Sequence, residues 1–276
     1  MLPAVVKLCC GISYPHVRSM TGKRMTSRRV NMRSVCNSSS VVFCRTAACG
    51  RGSVRTGALS PAERGSHHMS CEEALNEALE IVESTDGWKL DLAEKNGDVI
   101  YSKALKGNRK VFRLEAELDA SPEELYEILF LRVEEMHRWN PSITSIRVLK
   151  QVGRNTMVTH EVSAETAGNL IGQRDFLSVR HSSRSGSRVY LGGAATRFES
   201  LPPQEGFVRA EDGPTCIILH ALPHHSRKSR FIWLLNMDVK GWLPKSLVNK
   251  ALPRAQLDFT KHLRHHLTGQ TQESRT

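Results

Sequence analysis

Thr159 to Arg180 reads T-H-E-V-S-A-E-T-A-G-N-L-I-G-Q-R-D-F-L-S-V-R, and the patterning of this stretch decides the architecture around it. Thr156 to Ser163 is rich in β-branched and apolar residues, and Phe176 to Val179 is a second such run. Gly168-Asn169 and Gly172 supply turn chemistry between them, which predicts an antiparallel pair. A turn centred near Leu170 and Ile171 places Glu161 opposite Arg180. Alternation puts Met157, Thr159, Glu161 and Ser163 on one face with Arg174, Phe176, Ser178 and Arg180. A lone charge taken out of water is costly, so an inward Arg180 needs Glu161, and the pair then forms a polar anchor in an apolar space. The alternative is an exposed cross-strand ion pair contributing about 0–1 kcal/mol.

Outward from this pair, the periodicities alternate helix and strand. Ser70 caps a helix with Glu72 and Glu73 in its first turn and Ala74, Leu75, Ala78, Leu79 and Val82 at helical spacing. Short strands at 88–92, 99–103 and 111–118 are separated by Asn96-Gly97 and Gly107-Asn108. Ser121-Pro122 opens a second helix, and a helical piece near Glu134 stops at Asn140-Pro141. Seven further strands are predicted at 143–150, 156–163, 175–181, 188–194, 206–210, 216–220 and 230–239. Leu243, Leu247, Ala251, Ala255, Phe259, Leu263 and Leu267 then recur every fourth residue in a long helix that must cover apolar surface, with a kink expected at Pro253. This order is that of an α+β protein with a large antiparallel sheet.

Charge divides the chain. Of its 39 Lys and Arg, those in residues 1–68 stand beside a single acid, Glu63, so most of the net charge of +11 lies there and the rest is nearly neutral. Lys7, Arg18, Lys23, Arg24, Arg28, Arg29, Arg33, Arg45, Arg51 and Arg55 among Ser, Thr and small apolar residues have the composition of a mitochondrial transit peptide. A basic arm for anionic lipid or RNA is the alternative, but the segment has few aromatic residues to stack on bases, and no nucleic-acid partner is expected. Five of the 7 cysteines (Cys9, Cys10, Cys36, Cys44, Cys49) lie there too, leaving Cys71 and Cys216 for the body, which fits a reducing compartment better than a disulfide framework.

Taken together, Trp139-Asn140-Pro141, Thr159-His160-Glu161, Ala167-Gly168-Asn169-Leu170, Arg174-Asp175-Phe176, Ser178-Val179-Arg180, Asp212-Gly213-Pro214-Thr215-Cys216 and Lys240-Gly241-Trp242-Leu243-Pro244-Lys245-Ser246 resemble a START domain in order and spacing. The resemblance implies a helix-grip fold, a curved antiparallel sheet around the C-terminal helix enclosing a hydrophobic tunnel. It divides the chain into a transit peptide and basic tail at 1–60 and a lipid-binding domain at 61–276. It implies a cholesterol carrier, not an enzyme, that moves cholesterol from the outer to the inner mitochondrial membrane for steroid synthesis. Other START-type cargo, another sterol, a phospholipid or a bile acid, is the alternative.

By the same resemblance Glu161 and Arg180 are the cavity's charged pair, Arg174 and Asp175 its polar neighbours, and Ile143, Leu191, Leu252 and Phe259 its apolar lining, with Asp212 near the sterol-binding end where mammalian members carry a histidine. The loop Glu165 to Gln173, with Leu170 and Ile171 at its tip, matches a gating flap. Ser187 keeps Arg184 three residues before it, as at a basophilic kinase site, but lacks a second adjacent arginine. Implied partners are cholesterol and the outer mitochondrial membrane surface with its proteins, for a monomer without a cofactor. A metal reading of His262, His265, His266 and His224-His225 has no carboxylate or Cys in a ligand pattern beside it, and a solvated helix face accounts for the first three.

Overall fold

The computed structural model describes residues 70–164 and 172–273. Helix α1 (Cys71–Glu83) begins at Ser70 in a reciprocal capping box with Glu73, and buries Ala74, Leu75, Ala78 and Val82. Strands β1 (Lys89–Ala93), β2 (Val99–Leu105) and β3 (Arg109–Leu118) form the expected meander. Ser121 and Glu124 make a second capping box for α2 (Pro122–Tyr126). The chain then widens into a π-turn, Glu127–Leu131, which the periodicity did not predict, before a 3₁₀ turn (Val133–Glu135) and α3 (Met136–Trp139).

Strands β4 (Ile143–Gly153), β5 (Thr156–Ser163), β6 (Arg174–Ser185), β7 (Arg188–Ala195), β8 (Val208–Asp212), β9 (Thr215–Leu222), β10 (His225–Leu235) and β11 (Met237–Asp238) follow. Among the described residues the sheet order is β1-β2-β3-β10-β9-β7-β6-β5-β4, with β8 paired to β6 and β11 to β8. Every pairing is antiparallel except β6 with β8. The exception arises because β7 occupies the edge of β6 only from Ser178 onward. The chain returns to pair Val208, Arg209 and Ala210 with Arg174, Asp175 and Phe176 on the remaining edge. The strand expected at 230–239 is two strands, because Asn236 turns its side chain to the carbonyl of Pro214 (3.2 Å) and its own carbonyl to the amide of Gly213 (2.8 Å).

Helix α4 (Lys245–Glu273) carries the predicted stripe: Ala251, Leu252, Ala255, Phe259, Leu263 and Leu267 are buried in the main core. Leu243, Leu247 and Val248, before and in its first turn, are only half-buried. Phe259 is held between Trp139 and Trp233, with ring centroids 5.4 and 5.1 Å away. The helix runs on through Pro253, which is buried.

Charge fixes the C-terminal part of α4 to the β1–β2 turn. Asp98, 2 % exposed, receives both Nη groups of Arg264 at 2.6 Å, and Arg264 also donates to the carbonyl of Glu117. Arg254 meets Glu94 at 3.2 Å in the open. Arg264→Met strands a buried carboxylate and is expected to cost about 3–5 kcal/mol in urea unfolding. Arg254→Met is expected to cost under about 1 kcal/mol, and equal losses would show that Asp98 is not electrostatically buried.

Candidate functional site: a polar-ended cavity between the sheet and the last helix

The face assignment of β5 and β6 holds, and the register does not. Glu161 pairs with Phe176, Thr159 with Ser178 and Met157 with Arg180, so Glu161 and Arg180 are not opposite one another. The cause lies at the loop's base: Ser163 Oγ accepts the amide of Arg174 (2.9 Å), and Ala164 donates to Ser142 on the β4 side (2.8 Å). An even shift of register leaves every side chain on its face. Arg180 therefore still reaches Glu161, lying diagonally along the strand. Its Nε donates to Thr159 Oγ1 at 3.0 Å and its Nη2 to Glu161 Oε2 at 3.1 Å. Glu161 is buried, and the Arg180 side chain is 24 % exposed.

Both charges line a cavity of about 90 Å³. Its walls come from the π-turn (Leu129, Phe130), Met136, Ile143, Leu191, Ile217, Trp233 and Phe259. The polar groups gather at Glu161, Ser178, Arg180, Asp212 and Thr215. Because β8 continues alongside β6, Asp212 arrives beside Ser178, whose hydroxyl donates to Asp212 Oδ2 at 2.9 Å. Gly213 must follow, since a Cβ there would lie 2.5 Å from the Asn236 amide. Burial pushes the Asp212 carboxyl up to about 6; the Ser178 hydrogen bond opposes this, Glu161 adds to it, and Arg180 opposes it.

Six of the nine expected residues, Glu161, Arg180, Ile143, Leu191, Asp212 and Phe259, thus meet in one cavity. Three do not. Leu252 is buried in the core away from the cavity wall. Asp175 cannot share a face with Arg174, its chain neighbour, and points through the opposite side of the sheet. There it accepts from His160 Nε2 (3.0 Å) and Arg209 Nη2 (2.8 Å). Burial pushes the Asp175 carboxyl up, but the hydrogen bonds from Arg209 and His160 outweigh that and hold it below the usual range. Arg174 lies at the strand's start, donating to the carbonyls of Val239 (3.4 Å) and Gly172, under Gly241, where a Cβ would sit 3.2 Å from its Nη2. Burial lowers its pKa.

Ser178, Thr159 and Thr215 complete the polar end and had no role assigned from sequence, although Ser178 was legible two positions from Arg180 on the same face. Leu170 and Ile171 lie outside the described residues, as does the segment 1–60. Ser187 is exposed in the β6–β7 turn, but Arg184 is committed to Glu123 and stacks over Tyr126 at 4.8 Å. His266 stacks on Trp139. Among the described residues no three His, Cys, Asp or Glu side chains are grouped to hold a metal ion.

The START domain profile matches residues 68–273. Zebrafish (Danio rerio) steroidogenic acute regulatory protein, mitochondrial, is 40% identical over 274 residues, 97% of this chain and 96% of that protein. The human (Homo sapiens) protein of the same name is 42% identical over 275 residues, with the same shares covered. In fold, human StAR-related lipid transfer protein 5 superposes with a TM-score of 0.64 at 21% identity, over 71% of this chain and 93% of that one. Human STARD10 does so with a TM-score of 0.64 at 19% identity, over 77% and 88%. With that profile over most of its length and such relatives over nearly all of it, the chain belongs to the START domain family, in the group of the steroidogenic acute regulatory proteins.

Proposed function

We propose that this chain is a mitochondrial sterol carrier, binding one cholesterol molecule and promoting its passage from the outer to the inner mitochondrial membrane, where it feeds steroid synthesis. The observation that carries this reading is the apolar cavity with its polar groups gathered at one end around Arg180 and Glu161. One hydroxyl on a rigid apolar body matches one polar end in an apolar wall. A zwitterionic head group would need more donors than Arg180, Ser178 and Thr215 offer. Carriage rather than catalysis is the role, since Arg180 is engaged with Thr159 and Glu161 and the polar end suits binding.

At about 90 Å³ the cavity is far below the roughly 300–1,000 Å³ of ligand pockets, so loading requires the walls to part. The outer membrane surface is the natural place for that. Trp242 is 93 % exposed between Lys240 and Lys245, a pattern suited to the headgroup zone of a bilayer. Residues 1–60 serve as the presequence. Lipid extraction from the purified protein followed by mass spectrometry tests the cargo directly, and recovery of phospholipid without sterol would overturn the assignment.

Three outcomes are expected. Arg180→Leu leaves Glu161 short of a partner and destabilises the fold by about 3–5 kcal/mol at most, less if the carboxyl takes up a proton. Changing Glu161 and Arg180 together to Leu restores stability but not sterol binding, as read by urea unfolding and fluorescent-sterol titration. Asp212, with its pKa raised from 3.8 to about 6, binds more protons folded than unfolded, so its burial costs stability increasingly as pH rises through that interval. Asp212→Asn is therefore expected to gain up to about 3 kcal/mol at pH 7 and nothing below about pH 4, by unfolding at both pH values. A reporter fused to residues 1–60 should enter mitochondria in cells, and a cytosolic reporter would remove the presequence from the proposal.

A further inference from the structure

The cavity's polar end holds two carboxyls and one guanidinium, and the arrangement is asymmetric. Arg180 is committed through Nε to Thr159 and through Nη2 to Glu161. Asp212 stands at the end of β8, placed by the Gly213-Pro214 turn that Asn236 holds from both its amide and its backbone. One of its oxygens, Oδ2, accepts from Ser178. The other, Oδ1, has no hydrogen-bond partner among the described residues, although Asp212 lines the cavity and the groups around it are paired. The half-buried carboxyl thus turns a free acceptor into the cavity, and cargo that displaces water from it restores that solvation only by bringing a donor.

We propose that Asp212 is a second recognition group, and that the cavity selects lipids whose polar end is a neutral hydroxyl over those ending in a carbonyl or an anion. The proposal rests on the sterol-carrier reading and sharpens its substrate class. A hydroxyl can accept from the guanidinium of Arg180 and donate to Oδ1 of Asp212 at once. A carbonyl oxygen in the same place only accepts, and leaves Asp212 unsatisfied. A carboxylate or sulfate meets Glu161 and Asp212 as like charges, so bile acids and sterol sulfates are disfavoured.

Protonation of Asp212 reverses its part in this. Among the described residues, the charged or titratable groups facing it are Glu161 on β5, Arg180 on β6 and Cys216 on β9. Glu211 and Asp238, register partners one residue further along, alternate to the other face, where Lys240 joins them. The remaining walls, from the π-turn, α3, β4, β7, β10 and α4, contribute Leu129, Phe130, Met136, Ile143, Leu191, Trp233 and Phe259, none of which titrates. With its carboxyl pushed up to about 6, Asp212 becomes a donor in mild acid and can then serve a carbonyl.

The test is a titration of the full chain with a 3-hydroxysterol, the matching 3-ketosterol and the 3-sulfate, at about pH 7.5 and about pH 5.5, with circular dichroism at each pH. For the unmodified protein near pH 7.5 the hydroxysterol is expected to bind about tenfold more tightly than the ketosterol, the worth of one hydrogen bond to a charged group. Near pH 5.5 the ketosterol should gain while the hydroxysterol changes little. Asp212→Asn, which supplies a permanent donor, should bring the two within about twofold and abolish the pH effect. Asp212→Ser gives a second variant, expected to lose the pH effect as well. A hydroxysterol preference or a pH effect that survives both substitutions overturns the role of Asp212 and leaves the carrier reading standing. Binding of none of the three sterols by the unmodified protein overturns both.

Discussion

A guanidinium facing an apolar cavity must bring its acceptors with it, and that requirement organises the β5–β6 half of this protein. Arg180 cannot leave water for an interior of Leu, Ile and Phe unless carboxylate and hydroxyl oxygens are already in place. Thr159 and Glu161 supply them from one strand, two positions apart and on one face, so their own strand geometry sets the spacing that the arginine spans. The same strand carries His160 between them, pointing the other way to Asp175 and Arg209. One pair of strands thus holds two charge networks on opposite faces, separated by the thickness of a sheet. The inner one faces the cavity, while the outer one leaves Asp175 Oδ1 and Arg209 Nε without partners among the described residues.

Side-chain faces were legible in the sequence because period-two alternation survives any even slip in register, and the helical stripe of α4 was legible because seven apolar residues keep its spacing. The partner of each residue was not. Register depends on where Ser163 and Ala164 spend their hydrogen bonds, and those partners are set by tertiary approach. The misplacement of Asp175 had a different origin. Motif resemblance carried Arg174 and Asp175 as a unit, although adjacent strand residues cannot share a face.

Other features lay beyond local pattern altogether. The parallel entry of β8 follows from a long return after β7, and it is this return that delivers Asp212 to Ser178. The break between β10 and β11 hinges on Asn236, a buried residue whose partners are more than twenty positions away. The π-turn at Glu127–Leu131 puts Leu129 and Phe130 on the cavity wall, a displacement that helical periodicity alone does not encode.

Pro253 divides α4 into two parts that are held by different physics. Beyond it, the Asp98–Arg264 lock and the aromatic pocket around Phe259 clamp the helix to the β1–β2 turn, to β10 and to α3. Before it, the first turns rest on the half-buried Leu247 and Val248, and Asn249 has lost the amide that would have stiffened the joint. A rod built this way has one soft point and one fixed end, so it deflects as a cantilever. Phe259, the α4 residue on the cavity wall, belongs to the fixed side of that point, and the exposed Trp242 lies just beyond the free end.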